Sequence, residues 1–448
     1  MSISAQLGMR GSTAWDSVSG LRPQNYRERL LYEYPNGDFP ITSIIATQGS
    51  KELTDDYTFH WYEEELPTFS GAITAGAVYV DSGLATAYVY ATHAATSGAI
   101  GGTVYAKVAE AVADEFIAGY KVVLADLSYQ AEMVRGVVTA VHKNGASSYI
   151  AIRLRQADPG DATYNLATVD WIAATAPSQP ELSSMPNVVS YDPTHYVSYT
   201  GIYEVAIGAS RTAMKTRLRT GDGYAKMKRQ ARERFGVFME KDILYSWPFD
   251  GVGDNGERQH EPAGIFYYMD TYNSDNVIDF STCTTVNGVD FSGKTWKEAG
   301  TDFLLTVQEL FGRYGDMEKM AVCGSGASNA LGKLAASESM FTVTPGEEVG
   351  WGIKVNSFDG GSQSWKLKNS PLMSQTALDR NTVLLFEPNN IVTRYIDDMT
   401  FCTDPTVMKG GPYKVDGRKE SYLGELGWEF HFPKRWAVLR NLGVDNIN

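Results

Sequence analysis

The chain has 448 residues, 43% hydrophobic and 21% charged, with a formal net charge of −14. That length and composition exclude a disordered chain and allow two or three domains with ordinary cores. The acidic balance excludes tight nucleic-acid binding by the surface as a whole, because binding needs cations to neutralise phosphate.

Residues 1–40 carry no periodic apolar pattern and include the turn signal Tyr34-Pro-Asn-Gly, which reads as an extended arm. From Ile41 the chain becomes apolar, and alternation through Tyr57, Phe59 and Trp61 predicts a strand. Residues 68–180 are rich in Gly, Ala, Val, Tyr and Thr, with alternating runs such as Val137-Val-Thr-Ala-Val. This stretch reads as an all-β insertion, either a long tongue or a small barrel. Its Lys143-Asn-Gly145 segment is expected to close a tight hairpin.

Residues 204–247 form the one long helix-type stretch, with Tyr224, Met227, Ala231, Phe235 and Phe238 expected on one face. Ten Lys/Arg against three Asp/Glu lie between Arg211 and Lys241, opposite in sign to the chain. Two glycines in Gly221-Asp-Gly223 predict a break, with the true helix starting near Tyr224, and Pro248 ends it after Trp247. Ile265-Phe-Tyr-Tyr-Met is expected as a strand. Helices are expected over Trp296–Phe311 and Ser328–Ser337, the latter capped by Ser325 or Ser328, and strands from Trp351 to Phe432.

Chemistry has few candidates. Cys283, Cys323 and Cys402 are scattered, which predicts reduced, mostly buried thiols. The six histidines lie in separate segments without metal-ligand spacing, so no metal or cofactor is expected. No basic stretch followed by an apolar run opens the chain, so no secretory signal is expected. No apolar run reaches the length of about 18 residues that would span a membrane.

Gly288-Val-Asp-Phe-Ser-Gly-Lys-Thr295 satisfies the P-loop pattern letter for letter, with Gly288, Gly293, Lys294 and Thr295 at the phosphate-binding positions. Val383-Leu-Leu-Phe-Glu387 passes as a Walker B strand, which gives a nucleotide hydrolase as one alternative. Against it stand the polar segment upstream, Asp290 and Phe291 inside the would-be cradle, and a capping box in Thr295-Trp-Lys-Glu298. The default is a capped helix with a chance match. A binding module, a β-rich adhesin or tail protein displaying residues 68–180, is the other alternative.

Arm, β insertion, basic helix, α+β part and closing strands, in that order, resemble the major capsid proteins of tailed phages, the Hong Kong 97-type fold. Several segments resemble the phage SU-ten-like branch. They are Phe39-Pro-Ile-Thr-Ser-Ile-Ile with Phe59-His-Trp-Tyr-Glu-Glu-Glu-Leu, the helix end Arg234-Phe-Gly-Val-Phe-Met-Glu-Lys-Asp-Ile-Leu-Tyr, Phe311-Gly-Arg-Tyr-Gly with Met320-Ala-Val-Cys-Gly, and Glu425-Leu-Gly-Trp-Glu-Phe-His-Phe-Pro-Lys-Arg-Trp. The resemblance implies an N-terminal arm (1–40) and an E-loop region (41–203) enlarged by the insertion. It further implies a peripheral domain with the spine helix (204–295), an axial domain (296–380) and completing strands (381–448).

By function it implies a non-enzymatic subunit that assembles into hexamers and pentamers of an icosahedral head enclosing double-stranded DNA. Its partners would be further copies of itself, with portal, scaffolding and decoration proteins. It would reside in the virion shell after assembly in the host cytoplasm. Candidate contacts between subunits are Arg211, Lys215, Lys226, Arg229 and Arg232 on the basic helix region, and the acidic run Glu63, Glu64 and Glu65. The basic helix would set register against acidic strips on neighbours.

Overall fold

The computed structural model describes residues 40–64, 67–127, 131–160, 165–178, 181, 190–216, 222–311, 315–337, 342–350, 353–360, 363–375, 379–403 and 417–448. The expected arm (1–40), apart from Pro40, and Glu65 lie outside the described residues. Two compact units result: Met1–Glu63 with His195–Asn448, and Glu64–Thr194.

In the first unit a seven-stranded mixed sheet runs in the order Val277–Asp279, Ala437–Arg440, Val383–Phe386, Glu318–Cys323, Gln363–Asn369, Ile353–Gly360, Thr342–Gly350. Val383–Phe386 is buried at every position, as an unbroken apolar run in a central strand should be. Helices Trp296–Phe311 and Ser325–Ser337 share a buried cluster with this sheet, through Phe303, Val307, Leu331 and Leu334 against Trp365 and Leu385. The first helix has the expected limits; the second starts three residues earlier than expected, at Ser325.

A four-stranded sheet runs Ser50–Leu53, Ile391–Thr403, Gly417–Phe430, Gly201–Ser210. Against it packs the long helix, Gly223–Tyr245, N-capped by Asp222, whose carboxylate accepts from the Tyr224 N–H at 2.9 Å. The helix start near Tyr224 was therefore rightly expected, but residues 204–210 are strand, paired antiparallel with Gly417–Leu423. The alternating burial of that strand, with Val205 and Ile207 inward, has a period of two that a helix lacks. The helix stops at Tyr245, two residues before Trp247. Its buried face carries Ala231, Phe235, Met239, Ile243 and Leu244, while Phe238 is 52% exposed. The stripe thus steps from Phe235 to Met239, four residues on, rather than to Phe238.

One helix was not anticipated, and one further expectation changes. Pro40–Gln48 is a helix, with Ile41, Ile44 and Ile45 buried at helical spacing. Ile265–Tyr272 is also a helix, burying Ile265, Phe266, Tyr268 and Met269. A run of five apolar residues fits strand and helix alike, and here the neighbouring core decides.

The second unit is a closed barrel in the order Ser70–Tyr79, Thr103–Val108, Tyr149–Leu154, Ala131–His142, Tyr120–Asp126, Trp171–Pro177. Of tongue and barrel, the barrel forms. Val104, Leu124, Val134, Ile150, Ile152 and Ile172 fill it and are inaccessible to solvent. Lys143-Asn-Gly145 closes no two-residue hairpin: His142 pairs with Tyr149, and Gly145–Ser147 is a short 3-10 turn between them. The tight Asn-Gly turn occurs instead at Asn287–Gly288, with φ of 45° and 83°, between the paired strands Thr285–Val286 and Val289–Asp290.

Candidate functional site

The P-loop lookalike folds around that hairpin. Gly288 occupies the exposed turn. Phe291 is fully buried, its ring 5.5 Å from Phe303 and 6.5 Å from Phe280. Lys294 lies on the surface with its ammonium 5.5 Å from the Phe291 ring centre. The helix begins only at Trp296, and the Glu298 carboxylate accepts from the Thr295 N–H at 3.3 Å and hydroxyl at 2.8 Å. Thr295 is therefore spent on capping, and a hairpin stands where a P-loop has a buried parallel strand. Glu387, the would-be Walker B acid, is buried against the Lys319 ammonium and accepts from the Asp316 N–H at 2.9 Å. Burial pushes the Lys319 ammonium below its ordinary pKa, with Glu387 opposing the shift. Among the described residues no group of three or more His, Cys, Asp or Glu is placed to hold a metal ion.

The candidate contact residues separate. Arg211 and Lys215 are exposed on the short helix Arg211–Lys215, N-capped by Ser210. On the long helix Arg229 and Arg232 are exposed and Lys226 is half-buried; Arg229 pairs with Glu233 at 3.3 Å, one turn on. Arg229 and Arg232 also edge a groove of about 690 Å³ floored by Ile45, Phe235, Met239 and Trp428. Glu64 is exposed. Glu63 does not fit a contact role: it is buried, accepting from the Phe432 N–H at 2.8 Å and the Trp61 indole at 3.2 Å. Its carboxylate satisfies donors inside its own subunit.

Buried acids around the basic helix escaped sequence reasoning. Glu240 is inaccessible and bonds to the first turn of Pro40–Gln48. Glu420, equally buried, receives the Tyr224 hydroxyl, Arg418, and Lys228 at 3.2 Å. Burial together with Glu420 pushes the Tyr224 phenol up to about 12. A signal existed for Glu240, which precedes Ile243 and Leu244 by three and four residues and so shares their face. Glu420 thus neutralises Lys228 of the helix internally, while Arg232 is exposed.

Known proteins place this arrangement. A family model described as SU10 major capsid protein matches residues 14–443. The chain belongs to that family. It is a major capsid protein of a phage head, a subunit of the virion's multi-subunit shell, with the α+β class expected for a Hong Kong 97-type protein. No curated protein sequence matches it. The solved structure of Mycobacterium phage Cain is similar at 8% identity, covering 98% of this chain and 99% of that one, with a TM-score of 0.42. For Mycobacterium phage Bobi the values are 8%, 97%, 95% and 0.41. The SrpI encapsulin complex of Synechococcus elongatus is similar at 13% identity over 57% of this chain and 76% of that one, with a TM-score of 0.35. The assignment rests on the family match. For this capsid protein, the exposed surfaces described above are the features on which assembly can act.

Proposed function

We propose that the chain assembles, without catalysis, into hexamers and pentamers of an icosahedral head that encloses double-stranded DNA. Its first partner is a further copy of itself, with portal, scaffolding and decoration proteins joining the shell, and assembly takes place in the host cytoplasm. The arm would be residues 1–40 and the spine the helix Gly223–Tyr245 within a peripheral domain (204–295). Residues 296–380 would form the axial domain, completed by strands from 381–448, and 41–203 the E-loop region with its barrel.

The observation that carries this reading is the family match over residues 14–443. Physical chemistry supports it. A chain at net charge −14 repels packaged DNA of the same sign, so the container does not trap its contents. Arg211, Lys215, Lys226, Arg229 and Arg232 meet acidic strips on neighbouring subunits, Glu64 among them, and set their register.

Reversing two of these charges, Lys226→Glu with Arg232→Glu, tests the contacts. The double variant should keep the wild-type melting temperature and lose most of its assembled fraction in sedimentation. Unchanged assembly at every salt concentration would remove these residues from the interface.

A further inference from the structure

The barrel unit is acidic, with thirteen Asp/Glu against six Lys/Arg over residues 64–194, yet five of those six cations project from four adjacent strands of the barrel's outer wall. The strand register fixes this. Val104, Ile150, Val138 and Leu124 point inward, so residues one step away point outward. Outward pairs across the four strands are Arg155 beside Arg135 and Val123; Thr103, Arg153, Val137 and Lys121; Tyr105, Ala151 and Ala140; and Lys107, Tyr149 and His142. No Asp or Glu occupies these four rows. The sixth cation, Lys143, lies in the loop beyond the face and pairs with Asp114 at 2.7 Å.

Rings share the face with the cations. Tyr105 and Tyr149 meet edge to face at 5.5 Å, and His142 lies 5.0 Å from Tyr149. At the other end a groove of about 480 Å³ is lined by Lys121, Arg135 and Arg155 with the hydroxyl residues Thr175 and Ser178. Rows two residues apart are ~6.7 Å distant and strands ~4.8 Å, so the face measures roughly 20 by 14 Å. It is a curved strip of the barrel wall with sparse positive charge, hydroxyls and aromatic rings.

We propose that this face binds an acidic polysaccharide. A carboxylated or sulfated sugar fits the groove, where Lys121, Arg135 and Arg155 meet its charge and Thr175 and Ser178 its hydroxyls. Tyr105 and Tyr149, at the far end of the rows, receive the apolar face of a sugar further along the same chain. Nucleic acid fits less well. Its charge density calls for a continuous basic track, and its bases for rings splayed to stack, whereas these rings pack on one another and the rest of the unit is acidic.

Fluorescence anisotropy on the full-length protein tests the assignment, with labelled heparin-derived decasaccharide, polygalacturonate, dextran and poly-dT at physiological salt. Saturable binding of the first two and none of dextran is expected. Arg153→Ser with Arg155→Ser should weaken it at least tenfold, Tyr149→Ala several-fold, and Lys143→Ser not at all. The two arginine variants are also made singly, so that a double variant that fails to fold still leaves a readout. Absence of binding to both acidic glycans overturns the proposal. So does poly-dT binding as tight as theirs, or a loss with Lys143→Ser equal to that of the arginine pair. The measurement reads monomer and shell alike, so failure to assemble and failure to bind are separate results.

Discussion

Glu240 accepts a hydrogen bond from the backbone N–H of Ile41 at 2.9 Å, so a carboxylate buried in the long helix caps a helix 199 residues earlier in the chain. The Thr42 N–H donates to the same carboxylate at 2.8 Å. Helix N-termini leave donors unpaired, and this one is satisfied by a distant acid. Glu240→Ala removes the acceptor and leaves these donors buried. The expected cost is about 2–4 kcal/mol, with Glu240→Gln costing roughly half. Hydrogen exchange should show the amides of 41–48 losing protection first. Protection equal to wild type would mean that the carboxylate is not what holds this helix.

The hairpin segment separates shape from motif. Phe291→Ala empties a fully buried ring position and should destabilise by about 3–5 kcal/mol. Lys294→Ala, on the surface, should stay within about 0.5 kcal/mol of wild type, and neither protein is expected to bind ATP. Thermal melts and a nucleotide-binding assay on the two variants check both statements. ATP binding abolished by Lys294→Ala would restore the nucleotide reading.

The sequence made the helical core of the first unit legible wherever periodicity was long. Trp296–Phe311 has sixteen residues of one stripe and was fixed at both ends. The short apolar run Ile265-Phe-Tyr-Tyr-Met was misread as a strand for a physical reason: it fits two periods, and only partners distant in sequence choose between them. For the proposed contact residues, charge sign picked out Arg229 and Arg232, which are exposed, but nothing local told that Glu63 turns inward to Phe432, 369 residues away. The barrel's basic face was invisible because its members come from four strands that only the register aligns.

Acid should weaken the fold through Glu429. Burial alone would raise its pKa, but hydrogen bonds from His431 at 3.1 Å and Arg394 at 2.6 Å outweigh it and hold the carboxyl below the usual range. A carboxylate with a depressed folded pKa adds stability that is complete above its unfolded value, about 4.3, and is lost as pH falls through the folded value. Denaturation midpoints should therefore drop as pH falls below about 4.3, and Glu429→Gln should flatten that drop. An identical acid profile in the variant would assign the effect to other carboxylates.

Self-assembly is read by electron microscopy of the purified chain over a range of salt concentrations. Closed shells or capsomer rings are the predicted result. A chain that stays monomeric under every condition would contradict it.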